Sequence, residues 1–445
     1  MKKVSKSVSR TLNYMQSERG KIPARIIFAL SSLPLKLRTF GNIKTGGGEL
    51  NDSHFDKFFS GSYLITMVTA GVVNKLLHAE GTIQTLYSDS SIFNYFKSRG
   101  LDTCGLWDFI DTKTLDENLS AENHDTRWAY SACKPFAIKN ELELAKKSAR
   151  QIPILFHDTD LVLRKPYDKI LGLSSAEELA VAFGHAEEIG TDFYPPLEKL
   201  QLSSKFKLLD NKNLLHIPSG RIYRADLKAV NTCLMFFSDY EVAAEFAEIF
   251  RDFMMNNFLE DYNWLKGEHC LLAADQRTCL MVTERRGLKF LKDVRPFLPI
   301  SWAGNRFVDI ATLSEIKTEW HYYRPDYADP SEEPRAKIFT QEIQHLWNNK
   351  NDLELHCAYS NFLGMFDLEL IRAICPLVNI SWSRLEKSLR KFPVLKNYFK
   401  LLDMELTIEE LLEREKLKPA EQRIIDNKLI KNLPAPLIPE ELKNF

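Results

Sequence analysis

An α/β domain built on a mainly parallel sheet, flanked by helices, is the fold class this sequence predicts, and three observations predict it. Short apolar runs that end at turn residues alternate with longer stretches of helical periodicity over residues 20–350. Hydrophobic residues make up 44% and charged residues 27% of the chain, ordinary globular values that argue against a disordered, collagen-like or coiled-coil protein. At 445 residues the chain exceeds one compact core, so two units or one enlarged domain are expected.

Residues 1–20 read as a basic amphipathic helix, with Val4, Val8, Leu12 and Met15 along one face. Ala24–Leu33 is short, apolar and ended by Pro34, the pattern of a buried strand. The stretch from Thr45 to Gly48 is a glycine-rich loop, and residues 55–79 carry a long apolar helical pattern. A second strand is expected at Thr82–Tyr87, followed by a turn into a helix over Ile92–Ser98. Leu106–Ile110 is a third strand, and Arg127–Lys146 a helix with Pro135 near its start. Ile152–His157 is a fourth strand, ended by Asp158-Thr-Asp160. Ala180–Gly184 and Ala229–Phe237 complete the strands; Glu241–Asn256 and Gly267–Arg286 are helices. Beyond residue 356 no convincing strand follows, only short helices broken by Pro376, Pro393 and Pro419 before a proline-rich end. The expected organisation is an N-terminal helix at 1–20, an α/β domain at 21–355 and a helical C-terminal extension at 356–445.

Net charge is −1, which removes a whole-chain argument for nucleic-acid binding. The charge is uneven, however: residues 1–48 hold ten Lys or Arg and the single acid Glu18. A basic amphipathic helix at 1–20 fits peripheral contact with an anionic membrane, and it equally fits packing of its Val/Leu face on the domain. No apolar run reaches the ~18 residues that span a bilayer. The longest, Ile26–Leu35, is interrupted by Ser31, Ser32 and Pro34. Seven scattered cysteines without a CxxC pair argue against a disulfide scaffold or zinc ribbon, and a cytoplasmic location is expected.

The segment that carries chemistry is Pro153-Ile-Leu-Phe-His-Asp-Thr-Asp-Leu-Val-Leu-Arg-Lys-Pro166. An apolar strand runs into two carboxylates at i and i+2, which point to one side if the backbone stays extended. At the carboxyl end of a central strand they face the crevice where α/β sheets bind ligands. Two carboxylates there repel unless a positive group joins them, and Mg²⁺ or Mn²⁺ shared with substrate phosphates is the natural partner. The plainer alternative is a solvated acidic turn after a buried strand.

With Phe156, Asp158, Asp160, Leu161, Lys165 and Pro166 in this order, the sequence resembles bacterial glycosyltransferases of the GT-A fold, which place such a strand end at mid-chain. Four further segments fall in the order such an enzyme needs: Arg127-Trp-Ala-Tyr-Ser-Ala-Cys-Lys134, Asn231-Thr-Cys-Leu-Met-Phe-Phe237, Asp275-Gln-Arg277 and His345-Leu-Trp-Asn-Asn-Lys350. The resemblance spans roughly residues 24–350 and implies a GT-A-like, Rossmann-type sheet. It implies that Asp158 lies near ribose and metal, that Asp160 binds the metal, and that His345 closes the metal shell. Lys350, Arg127 and Lys134 would face the donor diphosphate, while Ser31, Ser32 and Asp89 touch base and ribose. Asn231 would sit by the acceptor, although Cys233 stands where the family has glycine. Asp275 and Gln276 would contact the transferred sugar, with Glu268-His269 as an alternative. Glu187, beside Glu188, is a candidate base near the acceptor, or part of a solvated turn.

The implied activity is Mn²⁺- or Mg²⁺-dependent transfer of a sugar from a nucleotide-sugar donor to a glycan, lipid-linked glycan or protein. Two rivals remain open. Asp158 and Asp160 also fit the nucleophile and acid of a haloacid-dehalogenase-like phosphohydrolase, which normally uses the first strand and needs a later acidic pair. A non-catalytic, transferase-like binding protein is the other.

Overall fold

The computed structural model describes residues 4, 6–33, 35–36, 49–59, 61–119, 133–148, 152–159, 161–163, 166–171, 186–187, 204–224, 229–230, 232, 234–256, 274–287 and 353–404. Its centre is a five-stranded sheet. Strands β1 (Arg25–Leu30), β2 (Ile83–Ser88), β3 (Phe109–Asp111) and β4 (Ile154–His157) are parallel, and β10 (Leu234–Phe237) is antiparallel to β4. The order across the sheet is β10-β4-β1-β2-β3. The expected α/β class with a mainly parallel sheet is therefore present, in a mixed, Rossmann-like form.

The inner strands are apolar throughout because both faces of the sheet are covered. Ile26, Phe28 and Leu30 of β1 enter one core, and Ile27 and Ala29 enter the other. The first core is closed by α1 (Lys6–Ser17), α3 (Gly61–Leu77) and α10 (Leu353–Ile374); the second by α6 (Cys133–Lys146) and α8 (Tyr240–Asn256). Alternate residues of a strand face opposite ways, so six residues of β1 serve both layers.

Several elements differ from the sequence expectation. The long helix expected at 55–79 is two helices, α2 (Asp52–Phe58) and α3, and α2 begins at a capping box formed by Asn51 and His54. The third strand starts at Phe109, because Leu106 and Trp107 are spent in a buried connection where the Leu106 carbonyl accepts from the Gln84 amide. The strand expected at 229–237 divides into β9 (Ala229–Val230) and β10, which belong to different sheets. β9 pairs with β5 (Ala186–Glu187); the strand expected at 180–184 lies outside the described residues.

An antiparallel meander of β6 (Lys207–Leu209), β7 (Leu214–His216) and β8 (Ile222–Arg224) was not expected. Its signals are local turns. Asp210 and Asn211 take positive φ between β6 and β7, and Pro218-Ser219-Gly220 lies between β7 and β8. Three-residue strands are too short for alternation to declare them.

Helix α1 turns Val8, Thr11 and Met15 inward, where they are buried, and Val4 and Leu12 pack against the same core. α1 lies against α3 and α10. Residues 353–404 are helical, with α10 followed by α11 (Trp382–Leu389) and α12 (Lys396–Asp403), and residues 405–445 of the expected extension lie outside the described residues. Met365, Phe366, Leu385 and Leu395 join the core that α3 and Phe28 occupy. Tyr398 of α12 wedges between two glycines: a Cβ on Gly364 would come 2.7 Å from its ring, and one on Gly61 would come 3.1 Å from it. Among the described residues, no helix is long and apolar enough to cross a membrane.

Candidate functional site at the carboxyl edge of the sheet

The order in which strands are added reverses at β1: β2 and β3 build outward on one side of it, and β4, parallel to it, lies on the other. In open α/β sheets this switch point leaves a crevice beyond the carboxyl ends of the strands. Ser31 and Ser32 follow β1, Asp89 follows β2 and Asp158 follows β4. All four therefore stand at the same edge.

The first three are joined directly. Asp89 is the N-cap of α4 (Ser90–Arg99), and its Oδ1 accepts from the Ile92 amide at 3.0 Å. Its Oδ2 accepts from the Ser32 amide and from the Ser31 hydroxyl at 3.4 Å. A carboxylate at a helix N-terminus is stabilised by the orphan amides there. Asp89 is buried, so it shapes the Ser31-Ser32 turn as well as facing the edge.

The second group is built from β4 and α6. Pro135 sits in the first turn of α6, where its missing N–H costs nothing, so Cys133 and Lys134 open the helix. Lys134 Nζ lies 3.1 Å from Asp158 Oδ1 and 5.2 Å from the centroid of the Phe156 ring. Their side chains are 12% and 27% exposed, so the pair is partly shielded from water yet reachable. Burial pushes the neighbouring Cys133 thiol up to about 12, against the field of Lys134 and with those of Asp158 and Asp89. Cys133 is thus an inert side chain between two acids.

The carboxylate spacing takes a different form from the one expected. The strand ends at His157, and the Leu161 amide donates to the Asp158 carbonyl at 3.4 Å, closing a turn. Extended pleating therefore stops at Asp158 and no longer fixes the side of Asp160, which lies outside the described residues. His157 Nδ1 is 2.7 Å from the same carbonyl. Thr159 points to the opposite layer, where its hydroxyl hydrogen-bonds with that of Tyr63 on α3.

The remaining expected residues are distributed as follows. Glu187 is on β5, and Asp275 and Gln276 are in the first turn of α9 (Ala274–Arg285), which packs against β9, the partner of β5. Arg127, Asn231, His345 and Lys350 lie outside the described residues, as do Glu188 and Glu268-His269. Of the three expected metal ligands, Asp158 is the one described. Among the described residues no group of three or more His, Cys, Asp or Glu is arranged to hold a metal ion. Asp158 offers one hard oxygen donor, paired with Lys134; the other two residues that the resemblance implies as ligands, Asp160 and His345, lie outside the described residues.

Tyr63 and Thr159 escaped the sequence reading, and so did Glu141. Glu141 is completely buried on α6, where it binds the Arg25 guanidinium and accepts from the Tyr87 hydroxyl at 2.6 Å. An acid at a heptad-like buried position on α6 was the available signal; nothing marked Tyr63. Comparison of the chain with known protein families, characterised proteins and solved structures finds no match. The fold and site define an α/β protein whose polar side chains converge at the switch point of a Rossmann-like sheet.

Proposed function

We propose that the protein is a metal-dependent glycosyltransferase that moves a sugar from a nucleotide-sugar donor to a hydroxyl or amine acceptor. One observation carries the proposal: Asp158 ends the strand beside the switch point with Lys134 3.1 Å away, so an acid and a cation share the crevice mouth. A diphosphate leaving group suits that arrangement, since Lys134 can pass from the carboxylate to phosphate oxygens as negative charge develops there.

In this reading the Ser31-Ser32 turn, held by Asp89, receives the base and ribose. Lys134, with Arg127 and Lys350, binds the diphosphate. Mn²⁺ or Mg²⁺ bound by Asp158, Asp160 and His345 would supply further charge neutralisation to the leaving group. Asp275, Gln276, Glu187 and Asn231 form the sugar and acceptor side, and a cytoplasmic setting belongs to the same proposal.

The test is a thermal-shift panel of UDP-, GDP-, CDP- and dTDP-sugars with and without Mn²⁺. A donor at 100 times its Kd adds about 2.7 kcal/mol of stability, enough to move the transition. A metal-dependent shift with one nucleotide class supports the proposal. No shift with any of them overturns it.

A further inference from the structure

The Asp158–Leu161 turn is fastened from both layers. On the α6 side Lys134 holds the Asp158 carboxylate. On the α3 side the Tyr63 hydroxyl holds that of Thr159, which is buried. The Tyr63 ring is fixed in turn, stacked on Phe59 with centroids 5.9 Å apart. Two residues earlier, Gly61 opens α3 in a space with no room for a side chain: a Cβ there would come 2.5 Å from the Val394 carbonyl oxygen. Tyr398 fills the gap between Gly61 and Gly364 of α10. A continuous set of contacts therefore runs from the helices of 353–404, through the first turn of α3, to the residue beside Asp158.

We propose that Tyr63 is a positioning residue for the strand-end turn that carries Asp158, and that the C-terminal helices hold Tyr63 in place through Gly61, Gly364 and Tyr398. The turn needs such a clamp because it follows the last ladder bond of β4. Asp158 faces α6 only while Thr159 is drawn the other way. The positioning is a property of the fold; its consequence for a donor diphosphate rests on the function proposed above.

Hydrogen exchange of the full chain, read on peptides covering 154–163, tests the clamp. Tyr63→Phe keeps the ring stack and removes one hydroxyl. It is expected to speed exchange at the turn by about tenfold or more while peptides from α4 and α11 keep their rates. Thr159→Val should do the same, Thr159→Ser should retain slow exchange, and the double variant should be no faster than either single one. Gly364→Ala should loosen the turn in the wild-type background and add nothing to Tyr63→Phe. Unchanged exchange in Tyr63→Phe, or additive single variants, overturns the proposal.

A second readout separates it from the reading of function. Binding of UDP, GDP, CDP and dTDP with Mn²⁺ is measured by calorimetry on the wild type and on Tyr63→Phe. Weaker binding in the variant supports the positioning role at the site, and equal affinity despite a loosened turn overturns that role. A loosened turn with no nucleotide bound by either chain supports the clamp and retires the glycosyltransferase reading.

Discussion

The Tyr87 hydroxyl donates to Glu141 Oε2 at 2.6 Å while the Arg25 guanidinium binds Oε1 of the same carboxylate, in the layer between the sheet and α6. Burial, followed by the field of Glu141, pushes the Tyr87 hydroxyl well above its usual range, so it stays protonated and keeps donating. Asn140 donates to the Tyr87 oxygen at 3.2 Å and completes the set.

Removing one member of that set leaves a buried charge without a partner. Glu141→Ala is expected to cost roughly 3–5 kcal/mol, measured as a shift in urea midpoint. The double variant Arg25→Met, Glu141→Leu should recover part of the loss, because buried ion pairs are often replaced by apolar groups at little cost, less the roughly 1–3 kcal/mol of leaving the Tyr87 hydroxyl without its acceptor. A double variant as unstable as the single one would show that the pair is needed for more than its charge.

At the crevice, Asp158→Asn should keep the fold and lose metal-dependent stabilisation by the nucleotide sugar. Lys134→Met should weaken donor binding and leave the free protein's melting temperature nearly unchanged. With donor and acceptor supplied, the released product should be a nucleoside diphosphate. Inorganic phosphate released from simple phosphomonoesters would support the phosphohydrolase alternative instead.

Acid should destabilise the protein through His78. Burial holds it down at about 4, against a smaller upward pull from its backbone bond to Asn74 and from Asp168. Its ring stacks on Tyr167, and among the described residues its Nε2 has no hydrogen-bond partner. The unfolded chain binds this proton near pH 6.5 and the folded chain only near 4, so stability is complete above 6.5 and falls as pH drops between the two. The loss reaches about 3 kcal/mol from this one group. Urea midpoints at pH 7, 6, 5 and 4.5 should fall in the wild type and fall less steeply in His78→Phe, where His157, held down at about 3 by burial, still takes up a proton on unfolding. The Asn74 carbonyl keeps its bond from the His78 amide in that variant.

The N-terminal helix offers its Val8 and Met15 face to α3 and α10. Met15→Ala should therefore cost roughly 2–5 kcal/mol, as for other buried large-to-small changes. Attraction to phosphatidylserine vesicles should come from the basic residues alone and vanish at about 0.5 M salt. Binding that survives such salt would mean that the apolar face leaves the core for lipid.

What the sequence made legible was local. Ile26 to Leu30, Ile83 to Tyr87 and Ile154 to His157 are short apolar runs with clear ends, and each is a strand. Asp158 stands out as the carboxylate that follows such a run, whereas Ser31, Ser32 and Asp89 are singled out by the glycosyltransferase resemblance at the ends of the first two strands. Pairing was harder to read. Nothing in Leu234–Phe237 declares that it runs antiparallel to β4, since a strand buried on both faces looks the same in either direction. Tyr63 and Thr159 are 96 residues apart, and only folding brings their hydroxyls together. The break between α2 and α3 was hidden for a similar reason: Gly61 is demanded by Val394, more than 300 residues later.

The cover over α3 has a consequence during synthesis. α3 reads Gly-Ser-Tyr-Leu-Ile-Thr-Met-Val-Thr-Ala-Gly-Val-Val-Asn-Lys-Leu-Leu, and nearly all of it is buried. Its partner α10 begins at Leu353, so roughly 280 residues must leave the ribosome between them. At about 5–20 residues per second, that is roughly 15–60 s with one side of the helix open. The nascent chain therefore carries an adhesive surface for most of its translation, and a chaperone that shields residues 61–77 until the last helices emerge is expected to govern its yield.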